Sequence, residues 1–164
     1  MSGSDVKAVF ITADTQALDA DGISAAAAVG EDANLTIGGA LASGGSCTFD
    51  SGRVVTILSA GDDSGISFTV TGTDVSGDSQ TESITGANAG TATGSKYFKT
   101  VTAIAAVGDP AGNVSAGINT AAGDVIFAGR ARLDGLSIVC SGTAGTLSFT
   151  TTSPAGTSQL KVGS

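Results

Sequence analysis

The sequence predicts an all-β protein built as an antiparallel β-sandwich, and three observations support this fold class. In the segment 66–71, Ile66, Phe68 and Val70 alternate with Ser and Thr, so apolar and polar side chains lie on opposite faces of an extended chain. Short segments of this kind are separated by clusters of Gly, Asp and Ser. After residue 31 no 3.6-residue apolar period occurs. These features are typical of antiparallel sheets with one buried and one polar face.

The first 45 residues are the least regular. Residues 6–11, which are β-branched and aromatic, predict a first strand. Between residues 12 and 30 the alternation weakens, and the pattern predicts either one short helix or an irregular arm. Leu35 and Ile37 then predict a short strand, and the run of two glycines within 43–46 predicts a turn or a flexible link.

From residue 46 onward short strands follow one another closely. We predict strands at 47–49, 53–58, 66–73, 80–85, 96–107, 113–118, 125–128, 135–140, 146–152 and 159–162, with turns at 50–52, 61–65, 74–78 and 108–110. The long neutral segment 86–95 predicts either a mobile tip or a backbone-rich surface that another subunit approaches closely.

These elements suggest three parts: an N-terminal strand and arm (1–45), a main β-module (46–120) and a short C-terminal strand set (121–164) packed on the same sandwich, of Ig-like or jelly-roll-like type. The predicted core consists of Ile66, Phe68, Val70, Phe98, Ile104, Leu147 and Phe149. This core is thin, because aromatic residues make up 4% of the chain and Trp is absent. Self-association would supply the missing burial, so a closed homo-oligomer is expected, with a trimer favoured.

The charge balance disfavours two classes of partner. The net charge is −8, and only seven basic residues are spread along the chain. They are too few and too dispersed for the positive surface that nucleic acids or anionic membranes require. Residues 1–16 lack the basic and apolar regions of a signal peptide, and no apolar run reaches the length of a membrane span. We therefore expect a protein made in the cytoplasm.

The residue types that usually carry chemistry are scarce. There is no histidine, and neither a phosphate-binding loop nor a nucleophile elbow occurs. Cys47 and Cys140 lie in strand-like segments, where they are either free thiols or a disulfide pair. We expect no catalytic residues, no cofactor-binding residues and no metal ligands.

Carboxylates are the remaining candidates for a site. Asp62 and Asp63 are predicted to lie in a solvated tight turn between two strands. The spacing of Asp19, Asp21 and Gly22 matches the opening of a calcium-binding loop, but Ile23 and Gly30 stand where further ligands are required. The sequence therefore does not predict an EF-hand.

The segment 53–118 resembles a β-module that recurs in structural proteins of tailed bacteriophages, marine ones in particular. The resemblance lies in the order of five strings, namely RVVTI (53–57), AGDDSG (60–65), FTVTGTD (68–74), TESITGANAG (81–90) and KYFKTV (96–101). It covers about two fifths of the chain, and residues 132–149 look more faintly like the strands that often follow this module. The module's position within a virion varies.

This resemblance implies a component of the virion, with two alternatives. The first is a capsid decoration or cement protein on the outer surface of the head, with the major capsid protein as partner. The second is a tail, fibre or host-recognition component bound to tail proteins. In either case we expect docking through a segment of small side chains, which allow close backbone approach: Ala25, Ala26, Ala27, Ala28 and Val29.

Overall fold

The computed structural model describes residues 16–123, 146–150 and 158–163, and this part of the chain forms nine β-strands and no helix. The strands are β1 (Asp19–Ala28), β2 (Ala42–Ser43), β3 (Ser46–Ser59), β4 (Ser67–Thr73), β5 (Ser79–Thr85), β6 (Thr91–Val107), β7 (Asn113–Gly123), β8 (Thr146–Thr150) and β9 (Ser158–Gly163).

Seven strands form one antiparallel sheet. Its order is β1-β7-β3-β6-β4-β5, with the short β2 paired to β3, while β8 and β9 form a two-stranded sheet of their own. Two glycines with positive φ, Gly44 (60°) and Gly45 (79°), make the tight turn between β2 and β3. The prediction of an all-β antiparallel protein and of a turn at 43–46 is thus confirmed for the described residues.

Strand β6 is the longest of the described strands and has different partners along its length. Its first half pairs with β3, as in the pair Ile57↔Ala92, and its second half pairs with β4, as in Val70↔Ile104. On the remaining side of the second half, Leu35 N–H donates to Ile104 O at 2.8 Å and Ala106 N–H donates to Ala33 O at 2.9 Å. β6 therefore links all parts of the sheet through one continuous backbone.

Side chains of β5 hydrogen-bond to the backbone of β6, although β4 separates the two strands in the ladder. The Glu82 carboxylate accepts from Ser95 N–H at 2.6 Å, and the Gln80 amide donates to Tyr97 O at 2.9 Å. In return, Lys96 Nζ donates to Thr81 O at 2.7 Å. The sheet is therefore curled, since its last strand reaches the first half of β6 and satisfies backbone groups there.

The core lies within this curled sheet and draws on strands β1 and β3 to β7. Phe68, Val70, Phe98 and Ile104 are fully buried, as predicted, and Ile66 is half-buried against them. The predicted core lacks the remaining fully buried apolar side chains, which include Ile23, Cys47, Val55, Ile57, Val101, Val114, Ala116 and Ile118. The described core is thus larger than expected from the sparse aromatic residues.

Three local predictions are wrong. Residues 16–30 form neither a helix nor an irregular arm, because residues 19–28 are the strand β1. Residues 50–52 do not reverse the chain but lie inside β3. They form a β-bulge there, because the five residue steps from Thr48 to Arg53 lie opposite only two residue steps on β6. Leu35 and Ile37 belong to no named strand, although Asn34 forms an isolated bridge with Ala105.

The segment 86–95 is divided between a loop and a strand. Residues 91–95 begin β6 and pair with β3, so this half is not a mobile tip. The predicted strands 6–11, 125–128 and 135–140 lie outside the described residues, as do Cys140 and the side chains of Leu147 and Phe149. The backbone of 146–150 and 158–163 is extended, in agreement with the last two predicted strands.

Phe68 provides the test of the core. Replacement by Ala removes a fully buried ring from the core, and we expect a loss of about 3–5 kcal/mol in the free energy of unfolding. The matched control is Val107→Ala on β6, where the side chain is 55% exposed and the expected change is within about 0.5 kcal/mol. Chemical denaturation measures both, and a loss below about 1 kcal/mol for Phe68→Ala would contradict the core assignment.

Candidate functional site

Strand β1 is the outermost strand at one end of the sheet, and two glycines hold it in place. Between Asp19 and Ser24 it bulges away from β7, since five steps on β1 oppose two steps from Ile118 to Ala116. Gly117 on β7 lies so close that a Cβ there would overlap Asp19 O, and a Cβ on Gly39 would overlap Asp21 O. Only glycine permits this close backbone packing on both sides of the bulge.

The loop that contains Gly39 also satisfies the backbone of the bulge. Leu41 N–H donates to Gly22 O at 2.8 Å, and Gly38 and Gly39 N–H both donate to Ile23 O at 3.0 Å. The Ile23 side chain is fully buried in the core. The first half of β1 is therefore fixed by packing and by hydrogen bonds within the chain.

The second half of β1 contains the predicted docking residues and is open to solvent. Ala25, Ala26, Ala27 and Ala28, here called the alanine edge, are all exposed, whereas Val29 is half-buried against the core. Buried and exposed side chains do not alternate here, and the strand register explains why. The three residue steps from Ser24 to Ala27 lie opposite only two residue steps on β7, which is a second β-bulge. Within the described part of the chain, β7 is the only strand that pairs with this edge.

Acidic residues lie at both ends of the alanine edge. Asp21 precedes it, and Glu31 and Asp32 follow it; all three are exposed. Asp32 has a positive φ of 51°, and its Oδ1 accepts from Gly108 N–H at 2.8 Å, which fixes the turn after β1. The whole stretch between Lys7 and Arg53 contains six acidic residues and no basic one: Asp14, Asp19, Asp21, Glu31, Asp32 and Asp50.

Arg53 lies on β3 and has an internal role. Its guanidinium is buried and donates to Gln16 O at 2.9 Å and to Asn119 O at 3.3 Å. Burial lowers the pKa of Arg53 from its ordinary value. This side chain therefore holds the segment before β1 against β7.

The Asp62–Asp63 turn differs from its prediction at one of the two residues. Asp62 is exposed, and the hydrogen bond from the Ser64 hydroxyl at 2.7 Å, with a second from the Ser64 N–H, lowers the pKa of Asp62. Asp63 is instead fully buried, and its Oδ1 accepts from Ala111 N–H at 2.7 Å. Asp63 N–H donates to Ala87 O at 3.0 Å, so this residue joins the loops that follow β3, β5 and β6.

The other carboxylates have local structural roles. Asp74 Oδ1 accepts from Ser76 N–H at 2.8 Å and Asp78 N–H at 3.0 Å, in agreement with the predicted turn. Asp19 lies in β1 rather than in a loop. Among residues 16–123 and the two later strands, no three His, Cys, Asp or Glu side chains are grouped as metal ligands would be. A search of the same residues found no helix long and apolar enough to cross a membrane.

Cys47 is a free thiol in the core of the sheet. It is fully buried on β3, and burial raises its pKa to about 11. A raised pKa keeps the thiol protonated at neutral pH, so that it behaves as a small apolar side chain rather than as a nucleophile.

Comparison with known proteins found no match among family models, curated proteins or solved structures. Its function is therefore inferred from the chain's own residues and from the resemblance of the segment 53–118.

Asp63 tests the loop junction. Asp63→Ala removes the acceptor for Ala111 N–H, and we expect the free energy of unfolding to fall by about 1–3 kcal/mol. Asp63→Asn keeps an oxygen acceptor and replaces Oδ2, which has no hydrogen-bond partner, so its loss is expected to be smaller. Equal losses for the two variants in urea denaturation would contradict this role of the carboxylate.

Cys47 tests the burial of β3. In a Cys140→Ser background, we expect a thiol reagent to label Cys47 at neutral pH only after unfolding in denaturant. Because the folded pKa is raised above the ordinary 9.0, the stability gained from the protonated thiol is fully present below pH 9.0 and is lost as the pH rises through 11. A Cys47→Ala control should lack this alkaline loss, and rapid labelling of the folded protein would contradict the assignment.

Proposed function

We propose that this chain is a virion structural protein, namely a capsid decoration or cement protein on the outer surface of a tailed-phage head. It would stabilise the shell by bridging neighbouring copies of the major capsid protein. The observation that carries this proposal is the alanine edge: an outermost strand, open to solvent, on a sheet built largely from the phage-like segment 53–118. We further propose that the curled sheet is a β-sandwich of Ig-like or jelly-roll-like type.

The charge of the chain supports an external position. A net charge of −8 disfavours contact with packaged DNA, and many acidic copies on one shell would keep particles apart in solution. These are general electrostatic effects, so they favour the outer surface of the particle without selecting a particular partner.

The docking role of Ala25, Ala26, Ala27, Ala28 and Val29 takes a different form in the folded chain. The sequence suggested an arm separate from the fold, whereas these residues end a strand whose Ile23 is part of the core. Deleting the first 30 residues would therefore remove a core strand along with the docking surface. Substitutions within the alanine edge are the appropriate test.

Self-association is part of the same proposal. A trimer would match local three-fold positions on a symmetric shell and would bury surface that one small subunit leaves exposed. The alternative function is a tail, fibre or host-recognition component, which the same phage-like segment supports. The number of copies per particle distinguishes the two, since a decoration protein approaches the copy number of the capsid subunits and a tail component has only a few.

Particle reconstruction tests the proposal. We expect density for this chain on the outer face of the head, in contact with more than one capsid subunit. Particles that lack the protein should release DNA at lower temperature or lower salt, and adding the purified protein should restore their stability. Density at the tail, or unchanged particles in its absence, would reject the cement function and favour the tail alternative.

A further inference from the structure

We propose that the seam between β5 and the first half of β6 is a pH-sensitive switch, which the ionised Glu82 carboxylate keeps closed. The seam comprises residues 79–83 of β5 and residues 94–97 of β6, which face each other across the curl of the sheet. Protonation of Glu82 opens the seam, while both strands stay paired with their other neighbours. This property belongs to the fold itself and does not depend on the proposed function.

Side chains rather than a backbone ladder close the seam. Among the described strands β5 pairs with β4 alone, and residues 91–98 of β6 pair with β3 on their opposite side. Glu82 Oε1 accepts hydrogen bonds from Ser95 N–H at 2.6 Å, from the Ser95 hydroxyl at 2.8 Å and from Lys96 N–H at 3.2 Å. The Gln80 amide and Lys96 Nζ each donate one further bond across the seam, to backbone carbonyl groups. Glu82 is therefore the main acceptor at the seam.

Gly94 makes room for the Glu82 carboxylate on the facing strand. A Cβ on Gly94 would lie 2.6 Å from Glu82 Oε2 and 3.1 Å from Ile84 Cδ1. A side chain at this position would therefore push the carboxylate away from the backbone N–H groups that it binds. Glycine within a strand often marks such a close approach by another group. The sequence of β6 is thus matched to the position of the carboxylate.

The charge of Glu82 decides how strongly the seam is held. An ionised carboxylate only accepts hydrogen bonds, and those that it accepts are shorter and stronger than bonds to a neutral acceptor. A protonated carboxyl group is a weaker acceptor, and one of its oxygens becomes a donor. The three groups that Glu82 Oε1 binds on β6 are donors in these contacts. Acid therefore weakens the bonds that close the seam.

Glu82 is the one residue on these strands that changes charge in acid. It is the only titratable residue of β5, and β4 has none. The titratable residues of β6 are Lys96, Tyr97 and Lys99. Lysine and tyrosine side chains keep their charge state between neutral and acid pH. The response of the seam to acid is therefore assigned to Glu82.

Little apolar burial opposes the opening of the seam. Ile84 is the one buried hydrophobic residue of β5, and it lies next to the seam rather than within it. The ladder between β4 and β5 and the ladder between β3 and β6 lie on the far sides of the two strands. We therefore expect opening to be a local event that leaves the core intact.

Amide hydrogen exchange of the full-length protein, followed by NMR, tests the switch. Protection factors, which correct for the intrinsic effect of pH on exchange, are compared at neutral pH and in acid for Ser95, Lys96 and the core residue Ile57. We expect acid to lower the protection of Ser95 and Lys96 about tenfold, because charge-assisted hydrogen bonds become neutral ones. Ile57, on the central strand β3, should keep its protection.

Two variants test whether Glu82 is the cause. Glu82→Gln keeps the length of the side chain without its charge, and Gly94→Ala displaces the carboxylate by contact with the new Cβ. Both should show low protection of the seam already at neutral pH, with little further loss in acid. The matched controls are Asp78→Asn, an exposed carboxylate just before β5, and Gly90→Ala, where the nearest atom to a Cβ is at 3.6 Å. Both controls should behave like the unmodified protein.

Three results would each overturn the proposal. The first is equal protection of Ser95 and Lys96 at both pH values. The second is an acid-induced loss in Glu82→Gln as large as in the unmodified protein. The third is an equal loss at Ile57, which would indicate global unfolding instead of a local opening. A loss that is confined to the seam and absent from both Glu82→Gln and Gly94→Ala would support the switch.

Discussion

The continuous backbone ladder of β6 is the constraint on which the rest of the structure depends. This strand pairs with β3 over its first half and with β4 over its second half, while residues 33–35 lie along the remaining side of the second half. Because one strand serves both groups of partners, the sheet curls, and β5 reaches the first half of β6. There, Glu82 and Gln80 supply with side chains the hydrogen bonds that a neighbouring strand would give.

Curling of the sheet also accounts for the core and for the loop junction. A curled sheet of small residues can enclose apolar side chains from most of its strands, so that Phe68, Val55 and Ile23 contribute to one core despite the scarcity of aromatic residues. The loops that follow β3, β5 and β6 then meet at Asp63, whose carboxylate accepts a hydrogen bond from the backbone N–H of Ala111. The Asp63 carboxylate is buried, whereas the sequence predicted an exposed one. The reason is that neighbouring loops cover this turn, which would be solvated if it stood alone.

The sequence predicted the features that local patterns control and missed those that depend on distant partners. Alternation placed Phe68 and Val70 in the core, and paired glycines located the turn at 43–46. Residues 50–52 have ideal turn chemistry, yet β6 holds them inside a strand as a bulge. The alanines at 25–28 have high helix propensity, but pairing with β7 and burial of Ile23 make the segment a strand. For Asp63, the loops that bury it are distant in sequence, so no local signal marks it.

The candidate site illustrates how a protein can leave one edge open without making it a general hazard. An exposed edge strand normally invites pairing with any other strand, and proteins limit this with bulges and charges. Here the bulges and the loop that contains Gly39 confine the open part to four alanines. The backbone packs closely against the first half of β1 at Gly39 and Gly117, and the Ile23 side chain is buried in the core. Both features keep the open half of β1 in an extended conformation. A partner that docks at this edge would meet backbone that is already ordered, which reduces the entropic cost of association.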